Sequence, residues 1–423
     1  MKKILLFVLL AYSQSFFAQC LNGNYAIPGD YPTISAAVNA LKTEHVCGPV
    51  VFTIQPGVYD EHVNIPEITG ASASNTITFQ SSSTDSTAVR IEFAGNDSLT
   101  NVISLQGADY ITFRGIHIKS TRAASTAYTF VILVNGNADF NRFTHCLIEN
   151  ATSTNTNGAQ SGILCEQYSK NHVTLTVDNS TISGGTSGIR IYGDYTNASL
   201  TAKGNTFTNQ YTKGIDLTGV SKAFITDNIF DYSNTQEYLT AINLHTAIDS
   251  AIVSGNQIYM STSAYCGISL EYIKNTLASN NKIIVKGGSG IVIHNSENVK
   301  IYHNTIVCSA AVNAYNDCIS AFSSKLLAIK NNILYQTGIG TSLNVANNNN
   351  VSYESDYNDL YSPDVNKSLK DWKTKTGQDA HSLNYVPNFV SATDLHIKSN
   401  FSQNLVFPYF PEVSKDIDGT IRD

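Results

Sequence analysis

Three titratable residues, His245, Glu271 and His294, each close a hexapeptide of the same form: TAINLH, CGISLE and SGIVIH. They lie 26 and 23 residues apart. Two related hexapeptides precede them, SGIRIY and KGIDLT, and the fourth position of the set supplies Arg190, Asp216 and Asn243. An imidazole among carboxylates suits general base chemistry, so His245 or His294 is a candidate to remove the proton alpha to a uronate carboxylate. Asp216 and Glu271 are hard oxygen ligands, and calcium held there would neutralise that carboxylate. Arg190 would contact an acidic sugar, Asn243 lies beside Asp216, and Tyr192 would stack on a sugar ring. An alternative use of His245, Glu271 and His294 is a transition-metal site. The plain alternative is a solvated polar strand face with no chemistry.

These residues can meet only if the chain brings positions about 25 apart together. The first apolar residue of the motif falls at Ile103, Val131, Ile163, Ile189, Ile215, Ile242, Ile268, Ile291 and Ile319. A second motif runs out of phase with it, with Asn205, Asn228, Asn256, Asn281, Asn304, Asn332 and Asn358 each two places before an apolar residue. Ile116, Cys146 and Ser180 take the Asn place in earlier copies. Self-similarity at this period means a solenoid or a propeller. The segments alternate apolar and polar and are short, so they are strands. A propeller blade needs about 40–45 residues, which these repeats lack. The period fits one coil of a parallel β-helix, in which each strand pairs with its counterpart one coil on, about 4.8 Å away. Ile189 and Ile191 then face inward and stack on Ile215 and Leu217, leaving Arg190 and Tyr192 outside. The Asn column reads as a structural ladder at a turn, where Asn tolerates left-handed backbone.

A solenoid needs covered ends. Residues Thr33–Lys42 read as a short amphipathic capping helix with Thr33 as N-cap and Ile34, Val38 and Leu41 on one side. Val50–Ile54 reads as an early strand. The pattern fades after Leu360, and residues 363–423, which hold the sole tryptophan, Trp372, read as an irregular cap or flank. Asn347–Asn350 reads as a loop.

Composition agrees. Only 14% of the 423 residues are charged, and 23 Tyr and 18 Phe favour strands over surface helices. The N-terminus, MKKILLFVLLAYSQSFFAQC, is a secretory signal peptide over residues 1–19, too short to span a membrane. Its Cys20 raises the question of a lipid anchor, for which Gln19 is a poor preceding residue. No other apolar run is long enough to span a bilayer. The net charge of -7, with no basic run, does not suggest nucleic acid or an anionic membrane surface as a partner. Export permits disulfides. Of the seven cysteines, Cys20 with Cys47 and Cys308 with Cys318 are the preferred pairs. Asp416-Ile-Asp418-Gly419 has two ligands of a calcium loop but lacks the rest, and reads as a turn. Lys119, Arg122 and His117 read as loop charges.

The stretch GPVVFTIQPGVYDEHVNIPEITGASASNTITFQS, with DWKTKTGQDAHS, DLHI and DIDGTIRD near the C-terminus, resembles the secreted right-handed parallel β-helix proteins of Bacteroidetes, within the pectin-lyase-like group. The resemblance implies an all-β chain forming a single right-handed parallel β-helix of about 10–12 coils over residues 20–362, capped over residues 20–66. The paired Asp and Gly-His-Gly motifs of polygalacturonases are absent, and only Asp139-Phe140 is shared with the pectin methylesterase segment. The expectation is a secreted or cell-surface protein that binds polysaccharide along its solenoid face. The alternatives are a lyase or hydrolase of acidic glycans and a non-catalytic adhesin.

Overall fold

The structure is a computed structural model. It describes residues 20–422 except 123–127, 155–159, 167–171, 194–197, 234–238, 247, 261–263, 310–315, 347–350, 364–368 and 399–407. The leader and the Asn347–Asn350 run therefore lie outside the described residues.

Three parallel sheets run the length of the chain: sheet A with 13 strands, sheet B with 12 and sheet C with 11, among the described residues. Apart from the first two strands of sheet A, which pair with each other, a strand pairs with the strand three further on, which is the signature of a coil with three sides. Ile189 pairs with Ile215, Ile215 with Ile242, Ile242 with Ile268, and Ile268 with Ile291. The alternation therefore sorts apolar side chains inward, where Ile, Val, Leu and Phe from all three sheets form one continuous core. Phe52, Phe79, Phe113 and Phe143 stack through its first turns at centroid spacings of 4.9, 5.2 and 5.5 Å. One alignment differs from expectation. Ile132, not Val131, pairs with both Ile103 and Ile163. The run TFVILV is apolar at both parities, so its sequence alone does not set the register.

The small residue before each triplet has a steric cause. A Cβ at Gly188 would lie 2.6 Å from the carbonyl oxygen of Gly214 and 2.8 Å from Cδ1 of Phe207. Sheet C enters from sheet B at this point, and the backbone passes too close to the core aromatics for a side chain.

The Asn column forms the corner between sheets A and B. Asn228 Oδ1 accepts from both the backbone N and the Nδ2 of Asn205, at 2.9 and 3.0 Å, and Asn205 Nδ2 also donates to the carbonyl of Val177. The same bonds repeat through Asn256, Asn281, Asn304, Asn332 and Asn358. These asparagines do not occupy the left-handed region. The residue before each one does: Gly204, Asp227, Gly255, Asn280, His303, Asn331 and Tyr357. The left-handed residue turns the chain, and the next side chain is thereby aimed inward, where it satisfies backbone groups that a bare corner would leave unpaired.

Both ends are covered. At the first, helix α1 (Ile34–Glu44) starts at Thr33, whose hydroxyl accepts from Ala36 N, and the Glu61 carboxylate accepts from Ile34 N and Ser35 N. A disulfide joins Cys20 to Cys47 across the first two strands of sheet A. At the other end the segment expected to be irregular contains helix α2 (Leu369–Thr376). Its short charged sequence has no apolar stripe. Leu369 and Trp372 pack against the core, and the indole Nε1 donates to Asp379 at 2.7 Å. Asp379 is buried and also accepts from Ser355, Asn358 and Ser382, so it terminates the Asn ladder. The chain then returns along the flank. Phe410 stacks on Tyr302 at 4.5 Å, Glu412 pairs with Lys300 at 2.9 Å, and Arg422 donates to Asn280. Asp416 Oδ1 accepts from Asp418 N and Thr420 N, closing a turn.

The expected Cys308–Cys318 disulfide is not formed. Both are free thiols, fully buried, directed at the carbonyls of Asp317 and Ile306 at 3.8 Å. They serve as small core side chains at the passage from sheet B to sheet C. Cys146, Cys165 and Cys266 are likewise free and buried, and burial pushes the Cys266 thiol up to about 12.

Candidate functional site

The outward side of sheet C carries the two columns expected from alternation. Arg190, Asp216, Asn243 and Ser269 stand in register on successive turns, as do Tyr192, Thr218, His245, Glu271 and His294. The columns differ in character. The first is a covered polar seam, with Asp216 and Ser269 buried. The second is half exposed.

Asp216 is the hub of the first column. Its Oδ1 accepts from Lys213 Nζ at 2.9 Å and from Asn243 Nδ2 at 2.8 Å, and Arg190 Nε lies 3.5 Å from Oδ2. One buried carboxylate thus holds two cations, from adjacent turns, at the edge of the seam. The Arg190 guanidinium also sits over the Tyr192 ring, 4.9 Å from its centroid. Lys213 was missed by alternation. It begins its strand three residues before Asp216, and alternation breaks between them because Gly214 faces the core aromatics Phe230 and Tyr232 beside the inward Ile215. That irregularity places it on the same side as Asp216.

In the second column His245 Nε2 stands 3.7 Å from Glu271 Oε2, and Ser269 Oγ donates to Glu271 Oε1 at 3.1 Å. His245 Nδ1 and the Thr246 hydroxyl are 2.5 Å apart. His294 is on the next turn, with Asn295 Nδ2 3.3 Å from its Nε2. The Tyr272 ring lies between the two imidazoles, at 5.7 Å from His245 and 6.0 Å from His294. Tyr272 adopts φ 54° immediately after its strand, where strand parity no longer predicts direction.

The donor sets do not suit a resident ion. The Asp216 oxygens are taken by Lys213, Asn243 and Arg190, so calcium there would displace two cations. Tyr272 stands between the histidines that a transition metal would need to join. No group of three or more His, Cys, Asp or Glu side chains among the described residues is arranged to hold a metal. Two of the charges read as belonging to loops are instead on a strand of sheet B: His117 and Lys119 both pair with Glu149, at 2.9 and 2.7 Å. Arg122 pairs with Asp97.

A family model described as a right handed beta helix region matches residues 161–320, the part of the chain that contains both columns. The fold is a right-handed parallel β-helix. No curated protein matches the sequence. Among solved structures the chain is similar to a mannuronic acid specific polysaccharide family 6 lyase from human gut microbiota, at 14% identity and TM-score 0.52, over 87% of this chain and 92% of that one. It is also similar to the family 6 alginate lyase AlyGC, at 15% identity and TM-score 0.51, over 90% of this chain and 56% of that one. At these identities the likeness is one of fold. No helix among the described residues is long and apolar enough to cross a membrane.

Proposed function

We propose that this is an exported or cell-surface protein that binds an acidic polysaccharide along the outer face of sheet C, with uronate carboxylates taken by Arg190 and Lys213. The observation that carries the reading is the Asp216 hub. Two cations share one buried carboxylate, so the patch keeps a net positive charge and fixed donor directions. Fixing them beforehand lowers the entropy lost when a ligand binds. Asn243 completes the donor set, and the part-exposed rings of Tyr192 and Tyr272 offer stacking faces beside it. The fold neighbours named for mannuronic acid and alginate support the choice of ligand to test first.

A second reading rests on the separation of His245 and Glu271, both part exposed and within ion-pair reach. There His245 takes the C5 proton alpha to the uronate carboxylate, the C4–O bond breaks as the C4–C5 double bond forms, and the departing oxygen takes a proton from water to leave as an alcohol.

Titration calorimetry with polymannuronate, polyguluronate and polygalacturonate tests the first reading. Wild type should bind at least one of them with affinity that falls as salt rises, and Arg190→Ala should weaken it at least tenfold. Ultraviolet absorbance from new double bonds tests the second, and His245→Ala should abolish it. Absence of affinity for every polyuronate contradicts the proposal and favours an adhesin with a protein partner.

A further inference from the structure

Two aromatic rings on the N-terminal turns have no place in the core. Tyr110 and Phe140 stack face to face at the corner leading from sheet C to sheet A, 4.9 Å between centroids and 13° between planes. The pair resembles the Phe52–Phe143 ladder in geometry, but that ladder is fully buried and packing accounts for it. Here Phe140 is 54% exposed. Both residues adopt the left-handed region, at φ 58° and 57°, which bulky side chains disfavour. The corner holds them there rigidly. Tyr110 N donates to the Asp139 carbonyl, Asp139 N donates to Asp109 Oδ1 at 2.7 Å, and Asn141 bridges Ile111 N and the Ala108 carbonyl. The left-handed backbone turns the chain here as at the other corners and sets the direction of both rings.

The surroundings define the ligand. Asp109 and Asp139 immediately precede the two rings, and burial, with smaller contributions from the Asp139 and Glu67 charges, raises the Asp109 pKa. Carboxylates beside an aromatic face accept sugar hydroxyls and repel uronates. The platform shares its solenoid corner with Tyr272, and Phe140 lies two turns N-terminal to Arg190 and three to Asp216, or about 10 and 14 Å at the strand spacing.

We propose that Tyr110 and Phe140 form a stacking platform for a neutral pyranose ring, with Asp109, through the oxygen not bonded to Asp139 N, accepting a hydroxyl. The site stands apart from the cationic patch on Asp216, and its ligand carries no charge, so it does not depend on the uronate reading. Together the two sites suit a polysaccharide with both neutral and acidic residues.

The test is calorimetry with neutral hexasaccharides: cellohexaose, mannohexaose and xylohexaose. Wild type should bind at least one of them with affinity insensitive to salt. Phe140→Asn should weaken that binding at least tenfold, because Asn keeps the left-handed corner and removes the ring. Phe140→Tyr should retain it, and Arg190→Ala should leave it within twofold. If none of the hexasaccharides binds, or Phe140→Asn binds as well as wild type, the proposal is wrong whatever the polyuronate result. A Phe140→Asn variant that fails to fold is replaced by Tyr110→Asn, with the same two outcomes.

Discussion

Asp359 and His303 make the pH dependence of stability legible residue by residue. Asp359 is buried near the last turn, accepts only from Tyr385 N among the described residues, and is pushed by burial from 3.8 up to about 6. A carboxyl whose folded pKa is raised is most favourable when protonated. Its contribution is therefore present below pH 4 and lost as pH rises through 6. Asp359→Asn keeps an acceptor for Tyr385 N without the charge. Thermal melts should show it more stable than wild type above pH 6, by about 1–3 kcal/mol, and equal to it near pH 4. His303 acts in the opposite sense. Burial, then Arg422, lowers it from 6.5 to about 4, so its contribution is present above pH 6.5 and lost as pH falls through 4. His303 bonds Asn331, which holds the Pro408 carbonyl. Limited proteolysis should therefore cut residues 408–422 faster at pH 4.5 than at pH 7, and His303→Asn should reduce the difference. His396 opposes this loosening, since Asp394 and Asp418 raise its pKa and favour the closed strap in acid. At this scale the candidate site was half readable in the sequence. Alternation gave Arg190, Asp216 and His245 their common face, because strand parity is exact inside a strand. It could not reach Lys213, which lies before a break in alternation at Gly214, or Tyr272, which is itself left-handed just past the end of its strand.

The corner and the strand entry are the elements on which the coil depends. Asn256→Ala removes the acceptor for Asn228 N and the donor to the Ile225 carbonyl, both in the interior. Leaving such groups unpaired costs about 1–3 kcal/mol each, so urea unfolding should show a loss of about 2–5 kcal/mol. Gly188→Ala forces a methyl against the Gly214 carbonyl and Phe207, and should cost about 1–3 kcal/mol without altering the exposed face. The Asn ladder was visible as a column of one residue type at a fixed interval. The left-handed neighbour that aims it was not, because Gly, Asp, Asn, His and Tyr all fill that position. The helix Leu369–Thr376 was also hidden, since its place is set by Trp372 and Asp379 meeting across the end of the ladder rather than by any periodicity. The free thiols Cys308 and Cys318 make the same point. Sequence alone pairs them, whereas both are free side chains directed into the core.

For the whole molecule, winding is the property that converts intervals in sequence into neighbours in space. The coil was readable from the repeats because every turn repeats the same solution, while its handedness came from the family resemblance. The returning C-terminal segment was not, because it obeys no repeat and clamps Asn280, Lys300, Tyr302 and Asn331 by individual contacts. Truncation after Ser382 keeps the Asp379 cap and removes that clamp. It should lower Tm while leaving polyuronate affinity within twofold.

The most direct test of the account is a double-mutant cycle on polyuronate affinity with Arg190→Ala and Lys213→Ala. If Asp216 makes the two cations one binding unit, each single change should lose nearly as much as the pair, with a coupling above about 0.5 kcal/mol. Losses that simply add, or no loss in either variant, would contradict it.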